Sequence, residues 1–160
     1  MAASAALIFA YRGPTRNRLL AVSGLAVVGG LATTAILEFG FGAYEHNYLH
    51  ISGAVAAGIL AIAYPVLGLE SKIGTAGIAL MGVLLMFLGN PLSGLGTGPE
   101  WLPGIWGEVG QLLPIGAAGT VIRSAAFFDG AGATHAWIVL VCWALAGIVI
   151  ALLPRRKPVS

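Results

Sequence analysis

Leu19–Leu37 reads LLAVSGLAVVGGLATTAIL, nineteen consecutive residues without a charge. As a helix rising 1.5 Å per residue, such a run covers the ~30 Å hydrocarbon core of a bilayer. Three more stretches read the same way. Ile51–Leu69 is a second span, Ile73–Leu88 a slightly short third, and Ala136–Leu153 a fourth, stopped by Pro154-Arg155-Arg156-Lys157. Strict polar–apolar alternation is absent, so barrel strands are excluded and helices must satisfy the backbone in lipid. Composition agrees: of 160 residues 58% are hydrophobic and 9% charged, against roughly 25% charged in soluble domains. The predicted fold is an all-α, polytopic transmembrane helix bundle of four full spans forming a single domain over residues 1–160.

Charge placement predicts the orientation. Arg12, Arg16 and Arg18 precede the first span, Lys72 lies between the second and third, and Arg155, Arg156 and Lys157 follow the last. With alternating spans these seven share one face. The other face holds Arg123 together with Glu38, Glu45, Glu100, Glu108, Asp129 and the three histidines. The positive-inside rule makes the seven-cation face, and with it the C-terminus, cytoplasmic. Basic residues placed beside spans are a topology signal and not a nucleic-acid footprint. Met1–Ala10 is apolar but reaches only ~15 Å as a helix. It reads either as the inner half of a helix whose outer half is missing or as a short helix lying at the interface.

The segment between the third and fourth spans, residues 90–135, is then external. It is rich in Gly and Pro, contains two of the four tryptophans, and is too apolar to stay disordered in water. Pro91, Pro99, Pro103 and Pro114 are expected to break any long helix, and Trp101 and Trp106 suit the headgroup level. Gly107–Phe128 reads as one or two short helices that dip into the outer leaflet and return, broken around Pro114–Gly119, before a turn at Asp129-Gly130. Arg123 beside apolar surface needs a partner, for which Glu108 and Asp129 are the candidates. Glu108, Gln111, Pro114, Arg123 and Asp129 are the residues expected to gate or pack this segment.

Within the spans, Gly53, Ala57 and Ala61, Ala26 with Gly30, and Gly147 with Ala151 recur every four positions. Such stripes let helix backbones approach closely in lipid. Pro65 is expected to kink the second span near its cytoplasmic end, and the lone Cys142 reads as a small buried or lipid-facing residue. His46 and His50 stand four apart in YEHNYLH, a two-ligand spacing better read as interfacial anchoring than as a metal site. No full span carries a mid-membrane acid or histidine of the kind a proton-driven transporter uses. GLGTG (Gly94–Gly98) lacks the strand–helix frame of a phosphate loop, and no catalytic acid pair or GxSxG is present. No catalytic, cofactor-binding or metal residues are therefore assigned, and the chain is not expected to be an enzyme.

The order of three motifs carries a resemblance: GNPLSGL (Gly89–Leu95) at the end of a span, PEWLP (Pro99–Pro103), and GQLLPIGAAGTVIRSAAFFDGAG (Gly110–Gly132) leading into a last span. It resembles the C-terminal membrane region of YhgE/Pip-like proteins, bacterial membrane proteins related to type-2 ABC exporter permeases. The likeness is closest over Asn90–Leu153 and looser over Arg12–Gly89. It implies an inner-membrane, permease-like bundle with external re-entrant helices, acting in export or cell-envelope assembly. It also implies partners besides the lipid bilayer: a homo- or hetero-oligomer, a separate ATPase subunit, or the large extracytoplasmic domain that family members carry and this sequence does not. The alternative reading is a structural or assembly membrane protein without its own transport path.

Overall fold

The computed structural model describes residues 13–43 and 47–154, and no strand occurs among them. The apolar Met1–Ala10 stretch, His46 and the Arg155–Lys157 cluster lie outside the described residues. Helix α1 (Thr15–Ala35) starts after the extended Pro14 and continues through a π-helical turn, Ile36–Gly40. Helix α2 is Tyr48–Ile73. Gly74, at φ +66°, both ends α2 and starts α3 (Thr75–Val83), a reversal in one residue that a side chain would strain. Helix α3 passes into a π-helical stretch, Leu84–Gly89, and a last turn, Asn90–Leu92. Then follow α4 (Trp106–Gln111), α5 (Pro114–Phe127) and α6 (Thr134–Leu152).

Four helical runs are long and apolar enough to cross a membrane: Thr15–Gly40, Tyr48–Ile73, Thr75–Leu92 and Thr134–Leu152. The chain is a multi-pass membrane protein built as an all-α bundle. Each span lies where the hydropathy put it, but the third runs on to Leu92, through Pro91, instead of stopping at Leu88. A proline inside an α-helix collides with the carbonyl four residues back. Here the register has already widened, with the Asn90 N–H bonded to the Leu85 carbonyl five residues back, so Pro91 enters without ending the helix.

Helix α2 is the hub. It packs against α1, α3, α5 and α6, and 61% of its spanning window is buried against 22% in each of the other three. Small residues permit this. A Cβ at Gly30 of α1 would stand 2.5 Å from the Ser52 carbonyl oxygen, one at Gly68 2.6 Å from the Gly147 carbonyl oxygen, and one at Gly58 2.8 Å from the Ala118 side chain. Gly147 lies against the backbone of Tyr64 and Pro65 with no room for any side chain. Pro65 is thus seated where α6 comes closest, inside a helix that remains continuous from Tyr48 to Ile73. The Ala26–Gly30 and Gly147–Ala151 pairs are interface residues. Gly53 is not: it is exposed and faces open space, and the α2 interface instead uses Ala54, Gly58 and Ala61.

The core has two parts. One, around Ile51, Ala54, Val121, Ala125 and Leu140, joins α2, α5 and α6. The other, around Val22, Tyr64, Leu67, Met81, Leu85 and Ala151, joins α1, α2, the third span and α6 toward the opposite, basic end. At that end Arg18 of α1 pairs with Glu70 of α2 at 2.8 Å, with side chains only 12% and 21% exposed, and the Lys72 ammonium donates to the Leu153 carbonyl. Removing one partner of a shielded pair leaves the other charge uncompensated. Glu70→Ala is expected to cost about 3 kcal/mol, read as a lower melting temperature in detergent. The double variant Arg18→Met, Glu70→Ala should lose less than Glu70→Ala alone, because no stranded charge remains.

Candidate functional site

Between Leu92 and Thr134 the chain folds into a re-entrant hairpin. Helix α5 has 14 residues, about 21 Å at 1.5 Å per residue, too short to cross the bilayer. Its buried first residue Pro114 and neighbouring Ile115 lie deep: Ile115 contacts the position a Cβ of Gly89 would take, and Ala118 rests on Gly58 in mid-α2. The tip is held by Trp143, nine residues and so ~14 Å along α6 from its start. Its indole N–H donates to the Leu112 carbonyl at 2.9 Å. That bond satisfies a carbonyl left open where α4 ends and ties the turn to α6.

Two short helices match the sequence reading, but the break between them falls at Leu112–Leu113 and not across Pro114–Gly119. Pro114 occupies the first helical position, where its missing N–H costs nothing, and Leu113 before it is extended (φ −90°, ψ 148°), as a residue preceding proline prefers. Gly116 and Gly119 do not interrupt α5; they are contact surfaces. A Cβ on Gly116 would overlap the Gly110 carbonyl, and one on Gly119 the Leu95 side chain. Gly110 in turn lies against the Leu92 carbonyl at the end of the third span.

Gln111 ties these pieces together. Its amide nitrogen donates to the Ser93 carbonyl (3.2 Å) and its amide oxygen accepts from the Thr120 hydroxyl (2.6 Å). One side chain so joins the end of the third span, α4 and α5. Arg123 finds neither of its expected carboxylates and donates to the Leu95 carbonyl at 3.5 Å. The 93–98 turn, held by Ser93 Oγ donating to Asn90 O at 2.7 Å, folds over α5 and brings that carbonyl to it. Asp129 stands in the Asp-Gly turn at φ +50° and accepts from the Asn47 amide at 2.8 Å, which fastens the hairpin's return to the start of α2. Trp101 and Trp106 are exposed, 78% and 50%.

Above the hairpin opens a cleft of ≈ 580 Å³, lined by Glu100, Leu102, Glu108, Gln111, Leu112 and His135, among others. Of the five residues singled out from sequence, Glu108 and Gln111 line it. Pro114 is buried at the foot of α5, while Arg123 and Asp129 do not line it and bond elsewhere. Glu100 and His135 were not anticipated. His135 is 27 positions from Glu108, on a different helix, and nothing local in the sequence marks it. Two carboxylates and an imidazole on apolar walls create a cleft of negative potential, suited to the cationic or hydrogen-bond-donating group of an amphipathic solute. No protein family, curated protein or solved structure matches this chain. Among the described residues no three of His, Cys, Asp and Glu group as ligands for a metal ion. His50 packs against Gly130, and Cys142 is exposed on α6, on surface available to lipid.

Proposed function

We propose that this protein is a permease-like transmembrane module of a bacterial export or cell-envelope assembly system. In this reading the hairpin is its gate and the C-terminus lies in the cytoplasm. The observation that carries it is the acidic cleft beside a helical hairpin whose tip is bonded to Trp143, midway along α6. A purely structural bundle has no need of irregular backbone set among its spans, which in a membrane is tolerated only when buried in protein or lining a cavity. The YhgE/Pip-like motifs fall on the same hairpin, and an ATPase subunit or an extracytoplasmic domain on another chain would complete the system. The cation bias of the Arg16–Arg18 and Lys72 end supports placing the hairpin outside.

The test uses intact cells and a Cys142→Ser background in which Leu112, exposed in the cleft, is replaced by cysteine. A membrane-impermeant maleimide added outside is expected to label Leu112→Cys, at a rate that differs several-fold between ATP-replete and ATP-depleted cells. Labelling only after lysis would overturn the orientation. Equal rates in both states would favour the alternative of a structural or assembly protein with a fixed hairpin.

A further inference from the structure

Helix α1 presents Val22, Ala26, Gly30 and Thr34 to its neighbour, every fourth residue and all buried, and Glu38 is the next position in that series. Val22 and Ala26 are apolar and Gly30 brings the backbones together; Thr34 and Glu38 are polar. Across the interface α2 supplies Ser52. The three side chains share an unusual state. The Thr34 hydroxyl, on a residue 0% exposed, the Ser52 hydroxyl, on a residue 4% exposed, and Oε2 of Glu38 are sealed from solvent, and none has a hydrogen-bond partner among the described residues.

They lie on one stretch of the α1–α2 contact. The Tyr48 hydroxyl donates to the Leu31 carbonyl at 2.8 Å, and the Tyr48 ring meets Phe39 at 6.0 Å between centroids. Ser52, one turn further along α2, sits opposite Gly30. The start of α2 therefore runs alongside α1 between Gly30 and Phe39, the stretch that carries Thr34 and Glu38. In this stretch α1 also changes to the π-helical turn Ile36–Gly40, a local distortion frequent at functional sites.

Buried polar atoms without partners cost free energy, and a carboxylate oxygen sealed inside a membrane protein costs most. Two hydroxyl oxygens and a carboxylate oxygen are hard donors. The hydroxyls can also donate hydrogen bonds, yet neither donates to a described residue, and all three oxygens can coordinate a cation placed between them. A single carboxylate balances one positive charge; a divalent ion would leave a net charge buried. We infer that Thr34, Ser52 and Glu38 form a binding site for a small monovalent cation, with sodium the ion that a hard oxygen donor set accommodates. The site lies between two spans, apart from the acidic cleft, and it does not rest on the permease reading. A bound sodium would hold α1 against the start of α2 and would stabilise the folded bundle by mass action.

The test is thermal unfolding of the purified full chain in detergent, titrated with sodium chloride against choline chloride at constant ionic strength. The wild type is expected to melt at a temperature that rises saturably with sodium. Ser52→Ala, Thr34→Val and Glu38→Gln should each weaken the apparent sodium affinity by on the order of tenfold or more, since one charge-assisted contact is lost in each. In choline alone Ser52→Ala and Thr34→Val should melt no lower than the wild type, because each removes a polar atom that has no partner. No response of the wild type to sodium beyond choline would overturn the site and leave water or a proton as the occupant. A response that persists in Ser52→Ala and Thr34→Val, whatever Glu38→Gln does, would also overturn it, because the ion would then bind elsewhere.

Discussion

Replacing Gly147 with alanine is expected to destabilise the bundle more than any other single methyl added to a span. The new Cβ would fall inside contact distance of the Tyr64 and Pro65 backbone, and backbone cannot rotate away as a side-chain end can. Gly68 faces the Gly147 carbonyl from the other side, so α6 cannot slide to relieve the overlap without losing that contact as well. Either α2 and α6 separate along their whole length or the helix bends locally. Overpacking of this kind costs about 3 kcal/mol, and in a chain of this size that lowers the melting temperature by roughly 6–12 °C. Gly53→Ala provides the comparison. Gly53 lies in the same hub helix, but a Cβ there meets nothing within 4 Å; the change should be neutral, or stabilising by up to ~1 kcal/mol through reduced chain entropy. Melting curves of the two variants in one detergent decide the matter. Equal stability would mean that the α2–α6 crossing is not the tight contact described above.

Gly110→Ala is expected to unseat the hairpin while leaving the four spans folded. A Cβ at this position would overlap the Leu92 carbonyl, itself part of the last turn of the third span. Helix α4 must then move away from α3, and Gln111, the next residue, loses its bond to Ser93 and is drawn from Thr120. The Trp143 bond to Leu112 goes with them. Losing the packing and two or three hydrogen bonds costs roughly 3 kcal/mol, but this falls on the hairpin and not on the α1–α2–α6 contacts. The expected result is an unchanged helical circular-dichroism signal together with rapid proteolysis between residues 99 and 113 and a red-shifted tryptophan emission. Gly96→Ala, where a Cβ meets nothing within 4 Å, should change neither. A protected hairpin in Gly110→Ala would show that α4 is not held by its contact with the third span.

Several features of the site were legible beforehand and others were not, for reasons that can be stated. Gln111 and Pro114 stood out as a polar side chain and a helix breaker in an apolar run, and both hold the hairpin as such residues should. Arg123 and Asp129 were recognisable as charges needing partners, but the partners are a carbonyl in the 93–98 turn and the Asn47 amide. Carboxylate pairing was the reasonable expectation from charge alone; a turn folding over a helix leaves no trace in local sequence. Gly119 looked like a point of breakage and is a point of contact, because a glycine in a helix reads the same whether it bends the chain or receives a neighbour. Thr34 and Ser52 are ordinary residues in their own spans. Only the packing of α1 on α2 makes their hydroxyls conspicuous.

Length and apolarity of four segments by themselves determined the number of spans, their helical form and the division of described charges between the Arg18–Lys72 end and the Glu108–His135 end. Each of those properties is summed along the chain, since the transfer of a helix into lipid depends on its own residues. The choice of α2 as the hub, the docking of the Leu112–Leu113 tip on α6, the cleft that joins Glu108 to His135 and the polar patch between Thr34 and Ser52 were decided only by tertiary structure. In lipid all apolar faces are nearly equivalent to one another, and association depends on where backbones can touch. That depends on the meeting of a glycine in one helix with a carbonyl in another.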